Sequence, residues 1–285
     1  MSRQSDFQRL VERKTRAAER AIIPPLSTTD EGPHARRLRT VGNAWTRAHY
    51  DGDYHLFDPP TGLPAMSMVF VQSRDRNTVI TNPARLGGGA ADTHLIYEGL
   101  SRVAADAVLA GAATVGASGF FTVWHPELVS LRHDMGLPRH PAQIVMSRRG
   151  RVNLSALLFN VPEIPVFLVG GDEVRRELAR EIAERPWITL VPLSDNGMVG
   201  AFTRLRLDHG LSRISVVGGR SAASALVDAG LVQDLNLTTT SHDGGEPDTP
   251  YYSGAHPPQL ELIVRKHGLG DTAPITFEHF VLADV

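Results

Sequence analysis

A chain of 285 residues with 42% hydrophobic content can build one large domain or two small ones, and its formal net charge is only −2. The absence of cysteine excludes disulfides, thiolate nucleophiles, zinc–thiolate sites and iron–sulfur clusters, and fits a reducing interior, so the cytoplasm is the expected location. The first twenty residues are charged and the most apolar run, residues 104–121, is broken by glycines and polar residues, so no membrane span is expected.

Charge is unevenly spread, with ten Lys/Arg against five Asp/Glu in residues 1–50. Glu12 and Glu19 are interspersed and no aromatic stacking series accompanies the basic residues. A solvated helix or a dimer-clasping arm is therefore expected in place of a nucleic-acid contact. Phe7, Leu10, Val11, Lys14, Ala18 and Ile22 fall near one stripe, which predicts an amphipathic helix over residues 5–22, ended by Pro24 and Pro25. Residues 27–64 are rich in Pro, Gly, Asp and Thr, the composition of an ordered extension. The expected organisation is an extension over residues 1–63 and a main domain over residues 64–285.

Within that domain, β-type apolar runs at 66–72, 107–111, 143–147, 166–169, 189–191, 214–217 and 234–240 alternate with helical patterns at 93–104, 173–184 and 222–230. This is the rhythm of an α/β fold with a mostly parallel sheet covered by helices on both faces. The runs at 260–264 and 275–282 have no helix between them, which predicts a C-terminal antiparallel hairpin.

In such sheets ligands collect where strands hand over to helices and free backbone N–H groups can hold anions. Three junctions have suitable chemistry. At Ile214-Ser-Val-Val-Gly-Gly-Arg-Ser221, Gly218 and Gly219 either let backbone approach a diphosphate, with Arg220 and Ser221 as further donors, or simply form a tight turn. At residues 107–115, small residues lead to Thr114 at an expected helix start, where it caps the helix or touches phosphate. At residues 143–149, Ser147, Arg148 and Arg149 have the chemistry that recognises a 2′-phosphate, although surface arginines are common. The Rossmann glycine fingerprint, the Walker loop, the His-Glu-x-x-His motif and the Gly-x-Ser-x-Gly elbow are all absent. His125, His133 and His140 lack metal-ligand spacing, so no metal is expected.

Taken in order, these junctions resemble the reductase domain of the bifunctional riboflavin-synthesis deaminase/reductase and, more distantly, dihydrofolate reductase. The resemblance is carried by Ala105-Asp-Ala-Val-Leu-Ala-Gly-Ala-Ala-Thr-Val115, by Val217-Gly-Gly219 and by Ala229-Gly-Leu-Val-Gln-Asp-Leu-Asn-Leu237, and it covers residues 66–280. It implies a dihydrofolate-reductase-like fold, NADPH as cofactor, a small heterocyclic substrate and a homodimer. It places Gly111, Ala112, Ala113, Thr114 and Val115, with Gly218, Gly219, Arg220 and Ser221, near the diphosphate, and Ser147 with Arg148 near the 2′-phosphate. Ser73 falls beside the cofactor by the same matching.

Two departures bear on the substrate. Where the family reads Ser-Leu-Asp-Gly, this chain has Ser73-Arg-Asp-Arg76, with arginine in place of glycine. Where the family has Asp-Asp-Pro and then Leu-Thr-Val-Arg, this chain reads Gly-Ala-Ser-Gly-Phe-Phe-Thr-Val-Trp over residues 116–124, so a phosphorylated substrate loses expected partners. The reading is hydride transfer from NADPH to a pyrimidine-linked open sugar or a related imine or carbonyl. Asp75 is the candidate for polar contact with substrate or nicotinamide. His94 and Glu98, at i and i+4, line the substrate side or pack the core; Phe120 and Trp124, with Phe121, form an aromatic wall or core. Reduction of another heterocycle, dihydrofolate included, and catalytically silent nucleotide binding are the alternatives.

Overall fold

The computed structural model of the chain describes residues 3–78, 83–116, 119–147, 151–193, 196–254 and 256–283. The N-terminal stripe forms helix α1, Arg3–Glu19, with Leu10 and Ala18 buried and Phe7 and Val11 packed against the same core. The helix ends at Glu19, so Ile22, 89% exposed, is not part of the stripe. Strand β1, Ser27–Glu31, strand β2, Arg39–Val41, helix α2, Ala44–His49, and strand β3, Tyr54–Leu56, follow. The periodicity reading missed all four because they are short, and β1 is a polar edge strand, Ser-Thr-Thr-Asp-Glu, with no apolar alternation. Helix α2 is started by a capping box in which Asn43 Oδ1 accepts from Thr46 N at 2.9 Å and Asn43 N donates to Thr46 Oγ1 at 2.8 Å.

The remaining strands are β4 (Ala65–Gln72), β5 (Ala107–Gly111), β6 (Ala142–Ser147), β7 (Val166–Gly170), β8 (Ile188–Pro192), β9 (Arg213–Val216), β10 (Asp234–Thr240), β11 (Gln259–Leu269) and β12 (Pro274–Ala283). With β1 they make one ten-stranded sheet in the order β1-β11-β12-β10-β4-β9-β5-β6-β7-β8. Pairing is parallel from β10 to β8 and antiparallel from β10 through β12 and β11 to β1, which contains the expected C-terminal hairpin.

Helix α3, Gly89–Ala91, runs directly into π-helical turns over Asp92–Leu100; the later helices are α4 (Pro126–Asp134), α5 (Asp172–Ala183), α6 (Gly197–Leu207) and α7 (Arg220–Asp228). Strand β5 lies between two cores. Val108 and Ala110 pack on the side of α1, the π-helix and α4, whereas Ala107 and Leu109 pack on the side of α6 and α7. Helix α6, hidden in the sequence by its glycines, is held by buried Ala201, Phe202 and Leu205. No helix starts at Thr114: Thr114 N donates to Gly111 O at 2.8 Å, closing a turn.

Residues 3–63 do not pack as a separate unit. β1 pairs with β11, Ser27 opposite His267, and Leu26 N donates to His49 O at 2.7 Å. Tyr50, Tyr54 and Leu56 sit in the same core as Val69 and Phe277. Buried Lys266 bolts the segment down: Nζ donates to Thr28 Oγ1 at 2.6 Å and to Asp51 O at 3.1 Å, and stands 4.2 Å above the Tyr50 ring centre. Among the described residues, no helix is long and apolar enough to cross a membrane.

Burial holds the His55 and His125 imidazoles down to about 4 and His140 to about 3. Each is neutral in the fold but titrates near ~6.5 once unfolded, so the unfolded chain binds more protons between those values. Stability should fall as pH drops through that window. Urea midpoints are expected to be lower at pH 5 than at pH 7, with a shallower decline in His125→Phe; midpoints that do not move would contradict this reading.

Candidate functional site

The carboxyl ends of β4, β9, β5, β6 and β7 open into a cavity of about 1120 Å³, floored by Val69, Phe70, Val217, Gly111, Met146 and Val169. Parallel strands all end on this side, so their loops converge on the cavity. Ala112 N donates to Met146 O at 2.9 Å, tying the end of β5 to β6, and Val217 N donates to Leu109 O at 2.9 Å, tying β9 to β5.

The β5 and β9 tips meet through glycine. Gly111 N lies 3.4 Å from Gly218 O; a Cβ on Gly219 would stand 3.2 Å from Thr114 Oγ1 and 3.4 Å from Gly111 Cα. Gly218 and Gly219 have φ of 136° and 83°, backbone that residues with a Cβ rarely adopt. Gly219 is also the N-cap of α7 and offers no side chain to the first turn, so free N–H groups and the positive helix end face the cavity beside Arg220, Ser221 and Ala222. This is a cradle for an anion. Ser147 and Arg151 flank it, and Leu193 and Met198 add an apolar end beyond Val169.

The other end is built by the π-helix and the β11–β12 turn. Asp92, Thr93 and Tyr97 face the cavity with Phe121, Thr78 and Asp271. The Gly88–Gly89 corner is pressed against that turn: Asp271 N donates to Gly87 O at 3.0 Å, and a Cβ on Gly89 would stand 2.8 Å from Asp271 N. Asp92 keeps partial exposure through the cavity while its Oδ1 is shut off from water without a partner. Burial raises its carboxyl to about 6, opposed by the Thr238 hydroxyl. The Arg102 guanidinium stacks 3.5 Å from the Tyr97 ring centre and backs this wall.

The cavity brings together Gly111, Ala112, Ala113, Thr114, Ser147, Gly218, Gly219, Arg220 and Ser221. Val115 is instead in the core. Arg148 lies outside the described residues. The remaining candidates are placed elsewhere. Ser73 is fully buried beneath its own turn, donating N–H to Asn77 O at 2.9 Å. Asp75 is exposed on that turn, accepting from Gly244 N at 3.4 Å, because the 73–77 turn leans on the 242–249 loop and away from the cleft. His94 and Glu98 are on the inner side of the π-helix, 3.3 Å apart, and Glu98 Oε2 accepts from Trp124 N at 2.9 Å and His125 N at 3.3 Å. Phe120 and Trp124 are core: the Phe120 ring centre is 4.9 Å from Phe7 and 6.3 Å from Trp124, pinning α1 to the domain. Phe121, not its neighbours, forms the aromatic wall. Asp92, Tyr97, Arg151 and Asp271 were missed; an acid in the first helical turn after Gly87-Gly-Gly89 was the available signal for Asp92.

The strand order and the cleft at the carboxyl ends of the strands define a dihydrofolate-reductase-like α/β fold. A family model described as the RibD C-terminal domain matches residues 75–267, and the chain belongs to that family. It is similar to a pyrimidine reductase-like protein from Corynebacterium diphtheriae, with a TM-score of 0.63 and 20% identity over 78% of this chain and 93% of that one. It is also similar to RibD from Acinetobacter baumannii, with a TM-score of 0.55 and 18% identity over 78% of this chain and 59% of that one. A diaminohydroxyphosphoribosylaminopyrimidine deaminase/5-amino-6-(5-phosphoribosylamino)uracil reductase from Thermotoga maritima has a TM-score of 0.51 and 18% identity over 78% of this chain and 58% of that one. No curated protein matches the chain.

Arg76 resolves one departure noted in the sequence. Its φ is 63°, the left-handed conformation, so the turn keeps glycine geometry with an arginine in it. Arg76→Gly should therefore stabilise the protein by about 1 kcal/mol. Equilibrium urea unfolding checks this, and a lower midpoint in the variant would contradict it.

Proposed function

We propose that the protein is an NADPH-dependent reductase of a small heterocyclic substrate. The carrying observation is the convergence of the β5, β6 and β9 ends, with the uncapped start of α7, on one cavity of about 1120 Å³. The residues present fit a dinucleotide. Gly218, Gly219 and the first turn of α7 would hold the diphosphate, Thr114 and Ser221 would donate further hydrogen bonds, and Leu193 and Met198 offer an apolar bed for adenine. Arg151 and Ser147 are the described groups with the chemistry for a 2′-phosphate. Bound there, NADPH supplies the hydride.

The protein's share is to orient both ligands and to hold a proton. Asp92 is the group for that: with its carboxyl raised to about 6, about a tenth is protonated at pH 7, far more than for an ordinary carboxylate, and can donate to a ring nitrogen or carbonyl oxygen. Tyr97 and Phe121 form walls for a flat ring.

Two readings of the substrate follow from family and site. Membership of the RibD C-terminal domain family supports a phosphoribosylamino-pyrimidine. The acids Asp92 and Asp271 at the substrate end support a heterocycle without phosphate, since the basic side chains lining the described cavity, Arg151 and Arg220, stand at the nucleotide end.

Gly219→Ala places a Cβ against Thr114 and should weaken NADPH binding by about 10-fold, or ~1.4 kcal/mol, with the circular dichroism spectrum retained. Arg151→Ala should weaken NADPH more than NADH. Calorimetric titration measures both, and unaltered binding in Gly219→Ala would move the diphosphate elsewhere.

A turnover panel separates the substrates. NADPH oxidation with the phosphoribosylamino-pyrimidine but not dihydrofolate supports the first reading, and the reverse supports the second. With whichever is reduced, turnover should decline above about pH 6, and Asp92→Asn should lose this limb and about 10²-fold in rate. Full activity in Asp92→Asn would remove the proton role.

A further inference from the structure

Parallel neighbours in a sheet need a crossover of about a dozen residues or more, and a helix usually fills it, because its backbone groups bond one another while one face covers the sheet. The connections from β4 to β5, β5 to β6, β7 to β8, β8 to β9 and β9 to β10 follow this rule, through the π-helix, α4, α5, α6 and α7. The connection from β6 to β7 does not. Its described residues, 151–165, hold only the 3₁₀ turn Leu157–Asn160. Side chains supply hydrogen bonds that a helix would have made within itself: Asn160 Nδ2 donates to Leu154 O at 2.9 Å and to Ala156 O at 2.8 Å, Asn153 Oδ1 accepts from Ser155 N at 3.0 Å, and Trp187 Nε1 donates to Phe159 O at 3.0 Å.

The cover for this connection comes from the other end of the chain. Helix α1 lies directly against the turn Leu157–Asn160 and against α4. Its Leu10 and Ala18 are buried in one core with Leu154, Ala156, Leu158 and Phe159. Phe7 closes the far side, its ring centre 4.9 Å from Phe120 and 5.4 Å from His140. Helix α1 thus takes the place in the helical layer that the β6–β7 connection leaves unfilled, although it precedes the residues, 75–267, that match the family. The connection starts at the cavity. Ser147 ends β6 there, and exposed Arg151 lines the same cavity shortly before Leu154 enters the core.

We propose that α1 is the positioning element for Arg151, and that the N-terminal segment thereby sets the choice between NADPH and NADH. This rests on the reading of Arg151 as a partner of the 2′-phosphate. A long exposed side chain reaches a fixed point only if its backbone is fixed, and no strand or helix holds the backbone of Arg151. It is held by Val152 and Leu154, packed into the core that α1 covers, and by Asn160, which ties Leu154 and Ala156 to the turn under α1. With α1 loosened, that turn loses one wall and the guanidinium loses its fixed distance to an anion. The diphosphate cradle is built separately. Helix α7 packs through Ala223, Leu226 and Val227 into the core on the opposite side of the sheet, which α1 does not touch. A change at α1 therefore falls on the nucleotide that carries the extra phosphate and spares the other.

Calorimetric titration of the whole chain with NADPH and with NADH tests this, and no substrate is needed. The double variant Phe7→Ala/Leu10→Ala should weaken NADPH by about 10-fold, the scale of one charge-assisted hydrogen bond, and leave NADH within about 2-fold of the wild type. Its circular dichroism spectrum should be retained. In an Arg151→Ala background the same two changes should weaken NADPH no further. Leu157→Ala, on the other side of the contact, should act alike and serves if the double variant does not fold. Wild-type affinity for both nucleotides in the folded variants, equal losses for both, or a full further loss in the Arg151→Ala background each overturn the proposal while the role of Arg151 stands. If Arg151→Ala itself weakens NADPH and NADH alike, or the wild type binds neither, the reading of Arg151 fails and this inference fails with it.

Discussion

The approach of Gly111 to Gly219 sets how close the ends of β5 and β9 can come. Their backbones touch because neither residue has a side chain, and a hydrogen bond from Val217 N to Leu109 O holds them there. A Cβ on Gly219 would crowd Thr114 Oγ1 at 3.2 Å and Gly111 Cα at 3.4 Å, so the start of α7 or the tip of β5 would have to give way slightly. The positions of Thr114, Arg220 and Ser221 all follow from that contact.

The end of the cavity lined by Asp92 and Phe121 depends on a different device. Residues 119–125 form neither strand nor helix, so their backbone groups must find partners elsewhere. The Gln143 amide supplies both for Phe121, and charged side chains supply others. Arg102 Nη1 donates to Thr122 O at 3.0 Å, Arg139 Nη1 to Val123 O at 2.6 Å, and Glu98 accepts from Trp124 and His125. Arg132 braces the platform underneath, donating to Arg102 O at 2.9 Å and Ala105 O at 2.8 Å. Hydrogen bonds to charged groups are the stronger kind, and in a desolvated layer they fix one conformation of the chain. Glu98 thus orients the stretch that carries Phe121 while remaining out of the cavity itself.

Legibility in the sequence followed burial. Strands β4 to β7, β9 and β10 and helices α5 and α7 announce themselves because their apolar residues are buried on one or both faces, and small residues at a strand end are a local signal of close approach. The same local reading placed Gly111, Thr114, Gly218 and Ser221 at the cavity. It put Asp75 at the cleft and left Phe120 and Glu98 open between cavity wall and core, because which way a side chain turns depends on contacts distant in sequence: the 242–249 loop for Asp75, α1 for Phe120, the backbone of Trp124 for Glu98. Asp92 was hidden for the same reason. Its significance comes from β10, far along the chain, which supplies Thr238.

The π-helical turns over Asp92–Leu100 have one more consequence. A π-turn holds more residues than an α-turn, so losing a single residue would let the segment relax into ordinary α-helix. The flanking turns would keep their register, because the wide turn had absorbed the extra residue, and only the side chains within the segment would change place. The side chains presented to the ligand would change as a set, with the sheet behind them left as it is. This wall of the cavity is therefore separated from a differently lined one by a single codon, gained or lost.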